Sequence, residues 1–318
     1  MRYFESKPAE SYQFKEIIYQ KKDWIARVTI NRPYAYNAYS TNALQEMIQA
    51  FTDAAFDDAV AVVVFTGAGD KAFSTGGDVK EYAANYTTRP RDYWKYMILF
   101  RRYIESILNV GKPSIARING MAVGGGNESQ MACDLAVMSD KAFIKQVGTS
   151  VGSVACGGAT QFLPIIVGDR RAREILWLNE NISPQKALEW GLVNYVVPHE
   201  KLDEKVNELA EKLINKFPEC MRFTKAQVNF WKDLAWYQTI ASGGDWLSIH
   251  YSSWEPTEGM NAFVEKRPPN YLMLRERAAQ GKSSEFMWGP YTKDCPTCGA
   301  KGIPEEFSFC GKCGKKLD

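Results

Sequence analysis

Residues 24–30 (WIARVTI) alternate apolar and polar side chains, the period of a strand with one buried face. A loop, NRPYAYNAYS, follows. From Ser40 the period lengthens: Leu44, Met47, Ile48, Phe51 and Ala55 recur on one helical face, and Ser40 can cap the first turn. Residues 60–65 (VAVVVF) are apolar throughout, which predicts a strand buried on both faces and closed by the turn TGAGD. The alternation continues with a helix over about 91–110, a strand over 114–118, a glycine turn over 120–126, a helix from Asn127 and a strand over 134–138. Strands separated by helices predict βαβ units and a largely parallel layer. Beyond Arg170 helical spacing dominates, as in Leu202, Val206, Leu209, Ala210, Leu213 and Ile214. The expected fold is therefore an α/β core followed by a helical part. Periodicity stops near GKSS at 281–284, which places a boundary at about 288 between a main domain, 1–287, and a tail, 288–318.

Length and charge narrow the picture. A chain of 318 residues suits one large domain plus something small, at about 150 residues per domain. Lysine and arginine number 39 against 37 acidic residues, so charge gives no reason to expect a nucleic-acid or membrane partner. No run reaches the roughly 18 apolar residues of a spanning helix, and MRYFESKPAESYQFKE lacks the basic and apolar regions of a signal peptide. A cytoplasmic protein is expected. The only histidines are His199 and His250, so carboxylates and backbone amides must carry most of any chemistry.

Three of the seven cysteines, Cys133, Cys156 and Cys220, are scattered as buried small apolar residues commonly are. The other four form two CxxC pairs in the tail, Cys295/Cys298 and Cys310/Cys313, each followed by a glycine, Gly299 or Gly314, that lets the chain turn and aim its amides at the thiolates. This spacing predicts a zinc ribbon in which four cysteines bind the ion tetrahedrally, with iron as the main rival. Four cysteine ligands leave no open coordination position, so the metal is expected to be structural and to supply most of the tail's folding energy. A contact with another subunit or partner protein is the expected use of the ribbon.

Two glycine turns follow predicted strands: Ser74-Thr75-Gly76-Gly77-Asp78 and Gly124-Gly125-Gly126-Asn127-Glu128. Without a Cβ in the way, their N–H groups can approach a ligand, and each turn precedes a helix whose first amides are unpaired. Such turns are mostly structural. The alternative reading is a pair of anion-stabilising donors.

Over roughly residues 13–275 the chain resembles the crotonase, or enoyl-CoA hydratase/isomerase, family. The landmarks are INRPYAYNAYS, VVVFTGAGDKAFSTGGDVKEY, KPSIARINGMAVGGGNESQMACDLAVMSD, GLVNYVVP and FVEKRPP, in that order. The resemblance implies a ββα superhelix, a helical C-terminal trimerisation region giving a trimer or dimer of trimers, and an acyl-coenzyme A substrate. It further implies a thioester oxyanion hole made by the N–H groups of Gly77 and Gly125. Coenzyme A is expected along the NRPYAYNA loop and the Lys71-Ala72-Phe73 stretch, with Arg32, Ala38, Ala72, Thr75 and Asp78 as binding candidates. Asp78 directly after a glycine turn also reads as a helix cap. Tyr82 and Tyr86 share a helical spacing and can line the acyl pocket or simply fill the core.

Hydratases of the family use two glutamates. Glu128 matches the first, while the second position falls at Gly148. The segment 146–154 (QVGTSVGSV) instead resembles the branch holding dihydroxynaphthoyl-CoA synthase and the ring-opening hydrolases of alicyclic oxoacyl-CoA thioesters. The aspartate that the synthase and the ketocyclohexanecarboxyl-CoA hydrolases carry after the matching serine is Ala155 here. The run GGATQFLP at 157–164 looks most like the oxocyclohexene-carbonyl-CoA hydrolases of anaerobic aromatic degradation. The expected function is thus a ring-cleaving hydrolase in which Glu128 activates water or protonates the α-carbon and Ser153 orients the ketone or the water. A hydratase or a synthase-like cyclase is the alternative, and a non-catalytic CoA-binding scaffold is a second one. Cys156 lies near the pocket in sequence but has no neighbouring histidine to activate it.

Overall fold

The computed structural model describes residues 6–87, 89–282 and 292–317. The alternating N-terminal pattern makes an antiparallel pair, β1 (Ile17–Lys22) and β2 (Ile25–Ile30), joined through Asp23 and Trp24 in the left-handed region. α1 (Thr41–Phe56) begins where Ser40 Oγ accepts the Ala43 amide, and it buries Leu44, Met47, Ala50 and Phe51. β3 (Val62–Gly67) starts two residues later than the apolar run. Val60 and Ala61 belong to the turn after α1, where their amides donate to Asp57 and Trp24 carbonyls.

From β3 onward the chain alternates between two sheets. β4 (Ala72–Ser74), α2 (Val79–Glu81), a π-helical turn over Tyr82–Tyr86 and α3 (Pro90–Leu108) complete one repeat. β5 (Ser114–Ile118), β6 (Met121–Val123) and α4 (Gly125–Ala132) make the next, followed by β7 (Leu135–Ser139) and β8 (Ile144–Lys145). α5 (Ala159–Val167), α6 (Asp169–Leu178) and α7 (Pro184–Glu189) lead to β9 (Tyr195–Val197). One sheet has the order β1-β2-β3-β5-β7-β9, parallel from β2 on, and the other is β4-β6-β8. The repeat is ββα, as expected. β4, β6, β8 and β9 are two or three residues long, too short to show a period, so the sequence reading missed them.

The large sheet has two buried faces. Val62 and Val64 pack with Ile115, Val137 and with Leu202, Val206 and Leu209 of α8 (Leu202–Ile214), while Val63 and Phe65 face the main core. The remaining helices are α9 (Pro218–Val228), α10 (Phe230–His250), α11 (Trp254–Glu265) and α12 (Tyr271–Ala279). α10 is anchored by fully buried Trp236, which stacks on Phe162 and donates to Glu105. In the tail, β10 (Thr292–Lys293) pairs with β11 (Ile303–Pro304) over a cluster of Cys295, Ile303, Cys310 and Leu317. The proposed boundary at 288 lies outside the described residues.

The loop between β2 and α1 is clamped from inside. Arg32, only 7% exposed, pairs through Nε with Glu16 at 2.9 Å and through Nη2 with Asp78 at 3.0 Å, and its Nη1 donates to the Ala38 carbonyl. Asn37 donates to the Ala68 and Ala72 carbonyls at 2.9 and 2.7 Å. Arg32→Ala would strand two largely buried carboxylates, so a loss of about 3 kcal/mol in urea-unfolding free energy is expected. An unchanged midpoint and slope would show that the clamp is not a structural element.

Candidate active site

The two glycine turns, fifty residues apart in sequence, meet in space. Gly76 sits at φ 84° and Gly124 at φ 54°, where a side chain is disfavoured. A Cβ on Gly76 would lie 2.7 Å from the Gly125 nitrogen, and one on Gly126 would overlap the Ser74 carbonyl. The turns are locked by parallel bridging of Tyr39 with Gly77: Tyr39 N–H donates to Gly76 and Asp78 N–H to Tyr39. Neither the Gly77 nor the Gly125 amide has an acceptor among the described residues. Both border a cavity of about 110 Å³. A tyrosine hydroxyl fills the space that a side chain would need at each: Tyr82 at Gly77 and Tyr39 at Gly125.

Glu128 projects into the same cavity from the first turn of α4 and is 5% exposed. Burial pushes its carboxyl up to about 7, and the amides of Ala159, at 3.3 Å, and Gly157 donate to it and hold it from rising further. It is the only acidic residue among the described residues that line the cavity, since Gly148 occupies the position where a second glutamate was sought. Tyr82, Tyr93, Tyr96, Phe100 and Tyr251 form an aromatic wall. Tyr82 and Tyr96 share a hydrogen bond of 2.5 Å, and Tyr93 stacks on Tyr251 with centroids 3.7 Å apart. Burial drives the phenols of Tyr39, Tyr82, Tyr93 and Tyr96 well above their ordinary range, which keeps them protonated as donors. Such a site can hold a neutral acyl group, stabilise an oxyanion and move one proton.

Of the residues singled out in sequence, Gly77, Gly125, Glu128, Ser153, Thr75 and Tyr82 come together around this cavity. Ser153 accepts from Tyr251 at 3.4 Å. Tyr86 turns away: the π-helical turn sends Tyr82 inward while the Tyr86 hydroxyl reaches Thr41 and Glu81. Asp78 caps α2 through the amides of Lys80 and Glu81 and pairs with Arg32, so its carboxylate is committed to the scaffold. Ala38 and Ala72 are buried with carbonyls already accepting from Arg32 and from Asn37 and Asn119. Of the cysteines and histidines among the described residues, only Cys156 lines the cavity, with its thiol pushed up to about 12 by burial and by Glu128, an inert state. His199 bridges Ser139 and Asp70, and His250 stacks on Trp246 beside Glu255.

Sequence reasoning missed Tyr39, Tyr93, Tyr96, Phe100, Tyr251 and Gln146. Tyr93, Tyr96, Met97 and Phe100 recur at helical spacing, a pattern that reads as core, and nothing local shows that this core face borders a cavity. Gln146 opens the segment 146–154 but was given no role of its own there, and Tyr251 carries no local signal.

The comparisons agree with this geometry. The enoyl-CoA hydratase/isomerase family model matches residues 20–273. The chain belongs to that family. A 6-oxocyclohex-1-ene-1-carbonyl-CoA hydrolase of Geobacter metallireducens is 34% identical over 87% of this chain and 86% of that protein. An enoyl-CoA hydratase from Mycobacterium avium subsp. paratuberculosis superposes with a TM-score of 0.73 at 27% identity, covering 81% of this chain and 98% of that one. An enoyl-CoA hydratase from Bacillus anthracis gives a TM-score of 0.65 at 32% identity over 81% of this chain and 99% of that one. The crotonase resemblance seen in the glycine turns therefore extends through the core and the helical C-terminal part. Among the described residues no helix is long and apolar enough to cross a membrane.

In the tail, the sulfurs of Cys295, Cys298, Cys310 and Cys313 lie within 4.8 Å of one another. The Cys295–Cys313 and Cys298–Cys310 pairs are 3.7 and 3.6 Å apart, close to the ~3.8 Å edge of a tetrahedron with metal–sulfur bonds of about 2.3 Å. The two knuckles match: Gly299 donates to Cys295 and Gly314 to Cys310, both glycines at φ near 70°, and Cys295 and Cys310 accept neighbouring amides that favour their thiolates. The cluster fits a metal ion.

The raised carboxyl makes a thermodynamic prediction. The folded chain binds the Glu128 proton more tightly than the unfolded chain does, so the corresponding stability is complete below pH 4.5 and is lost as pH rises through about 7. The loss reaches about 3 kcal/mol. Glu128→Gln should therefore melt higher than the parent at pH 8 and near the parent at pH 4.5. Equal melting temperatures at pH 8 would contradict the burial argument.

Proposed function

We propose that this protein is a ring-cleaving hydrolase of an alicyclic β-oxoacyl-CoA thioester. The observation that carries the reading is a lone buried carboxylate, Glu128, beside two free glycine amides in a cavity whose other lining residues, aromatic, aliphatic and neutral polar, bring no second acid. Hydration by paired glutamates lacks its second member, because Gly148 stands there. The 34% identical relative named as an oxocyclohexene-carbonyl-CoA hydrolase supports the same choice. A scaffold role is disfavoured by the retention of Gly77, Gly125 and Glu128 together.

With the thioester oxygen against the Gly77 and Gly125 amides, ionised Glu128 removes a proton from water as its oxygen bonds to the ring ketone carbon. The tetrahedral adduct collapses, and the bond between that carbon and the α-carbon breaks. Its electron pair becomes the thioester enolate that the two amides stabilise. Protonated Glu128 returns its proton to the α-carbon, leaving an open-chain acyl-CoA with a new distal carboxyl group. Ser153, held by Tyr251, orients the ketone or the water. Coenzyme A itself lies along the loop containing Arg32 and Ala38 and along the stretch around Ala72, with Thr75 at the cavity edge.

The four tail cysteines hold a structural zinc ion, a reading supported by four sulfurs within 4.8 Å of one another and two pairs near 3.7 Å. A trimer or dimer of trimers is supported by exposed Phe217, Phe223, Phe230 and Trp231 on α9, α10 and the turn before α9. The ribbon serves as a contact for another subunit or protein, and the protein works in the cytoplasm.

Ring cleavage and hydration both add one water, so mass alone does not separate them. Incubation of a ketone-13C-labelled cyclic β-oxoacyl-CoA in H2-18O should move the label from a ketone to a carboxylate signal and place 18O in that carboxylate. A retained ketone signal would overturn ring cleavage. Glu128→Gln should lower kcat at least about 100-fold, and parental kcat/KM should fall as pH drops below about 7. A fully active variant would remove Glu128 from the mechanism. Metal analysis should give one zinc per chain, lost on Cys298→Ser, and ring cleavage should survive deletion of residues 288–318. Inactivity of that deletion in a folded oligomer would place the ribbon in the active site.

A further inference from the structure

Gln146 is fully buried directly after β8, borders the acyl cavity, and has no part in the mechanism above. Its Nε2 donates to the Gly124 carbonyl at 3.3 Å, while its Oε1 has no partner among the described residues. The carboxamide is therefore held by one protein contact, and that contact is to the peptide group whose other end is the Gly125 N–H.

A peptide group is planar, so its carbonyl and N–H point in opposite, fixed directions. The Gly124–Gly125 plane is not set by local preference, because Gly124 adopts φ 54° and ψ −121°, a conformation open mainly to glycine. External contacts must set it. The Gly124 amide donates to the Lys145 carbonyl at 2.9 Å, and the Gly124 carbonyl accepts from Glu128 N–H at 3.1 Å as well as from Gln146. The end of β8 and the residue after it thus fix the peptide planes on both sides of Gly124, Lys145 with its backbone and Gln146 with its side chain. A donor on the carbonyl also polarises the peptide and strengthens its N–H as a donor.

We infer that Gln146 is a positioning residue that aims and strengthens the Gly125 N–H toward the thioester oxygen. This rests on the oxyanion reading of the site and adds to it the group outside the turn that tunes the donor. It has no requirement for ring cleavage as such, since any bound thioester carbonyl would feel it.

The test uses cyclohexanecarbonyl-CoA carrying 13C at the thioester carbonyl, which has no ring ketone to react. Its carbonyl stretch is read by infrared difference spectroscopy when bound to the parent protein, to Gln146→Met and to Gln146→Leu. Both variants keep a side chain of similar size and remove the donor, and circular dichroism selects whichever is folded. The parent should shift the stretch to lower frequency, and a folded variant should give less than half that shift with probe affinity within about twofold. On the ring substrate, kcat should fall about tenfold with KM unchanged, a smaller effect than outright removal of an oxyanion donor. A parental shift and kcat in the variants would overturn the role of Gln146 while leaving the ring-hydrolase reading intact. Loss of probe binding would make Gln146 a binding residue and would equally overturn it. If the parent itself shifts nothing, the oxyanion assignment fails and this inference fails with it.

Discussion

The close approach of two backbone turns, residues 74–78 and 124–128, is the constraint on which the site depends. Backbones come this near only where no Cβ intervenes, and Gly76 and Gly126 are the positions that meet that condition. The ββα repeat brings equivalent turns to the same end of the small sheet, because β4 and β6 are parallel neighbours in it. Each turn then opens a helix or a capped segment whose first amides need partners. Architecture and chemistry share one origin here: the amides left over by the fold are the ones available to an acyl oxygen.

The second force at work is desolvation. Glu128 is placed where its charge is poorly solvated, and only two amides compensate. A hydrophobic residue there would make a more stable protein. The same burial brings its acidity near neutrality, where a carboxyl group can both take and return a proton. Around it, the tyrosine wall supplies hydroxyl groups that stay neutral, so the cavity gains hydrogen-bond donors without gaining charge.

Much of this was legible along the chain, and the failures have physical causes. The capped helix from Ser40, the doubly buried run of valines and the strand Ser114–Ile118 all announce themselves because they extend over enough residues to show a period. The short strands β4, β6 and β8 do not, although they carry the turns. Gly77, Gly125 and Glu128 were singled out through the family resemblance, and the fold brings all three to one cavity. For Tyr82 and Tyr86 the spacing left pocket and core open, because it does not reveal where a π-helical turn points each side chain: Tyr82 lines the cavity and Tyr86 fills the core. Tyr93, Tyr96, Tyr251 and Gln146 escaped because their role comes from contacts across the fold, which no short segment encodes. The tail was the opposite case, since two CxxCG knuckles with left-handed glycines state their geometry in sequence.

The hydroxyls of Tyr82 and Tyr39 occupy the volume that side chains at Gly77 and Gly125 would require. That pairing has an evolutionary consequence. A lineage cannot enlarge either glycine while its tyrosine remains, and it gives up a hydroxyl at the cavity if the tyrosine shrinks first. Each glycine and its tyrosine are therefore an epistatic unit, free to drift only through an intermediate with a gap where the two now touch. Other members of the lineage should change such positions in pairs or keep both, so the spacing between these two groups acts as a historical ratchet on the site.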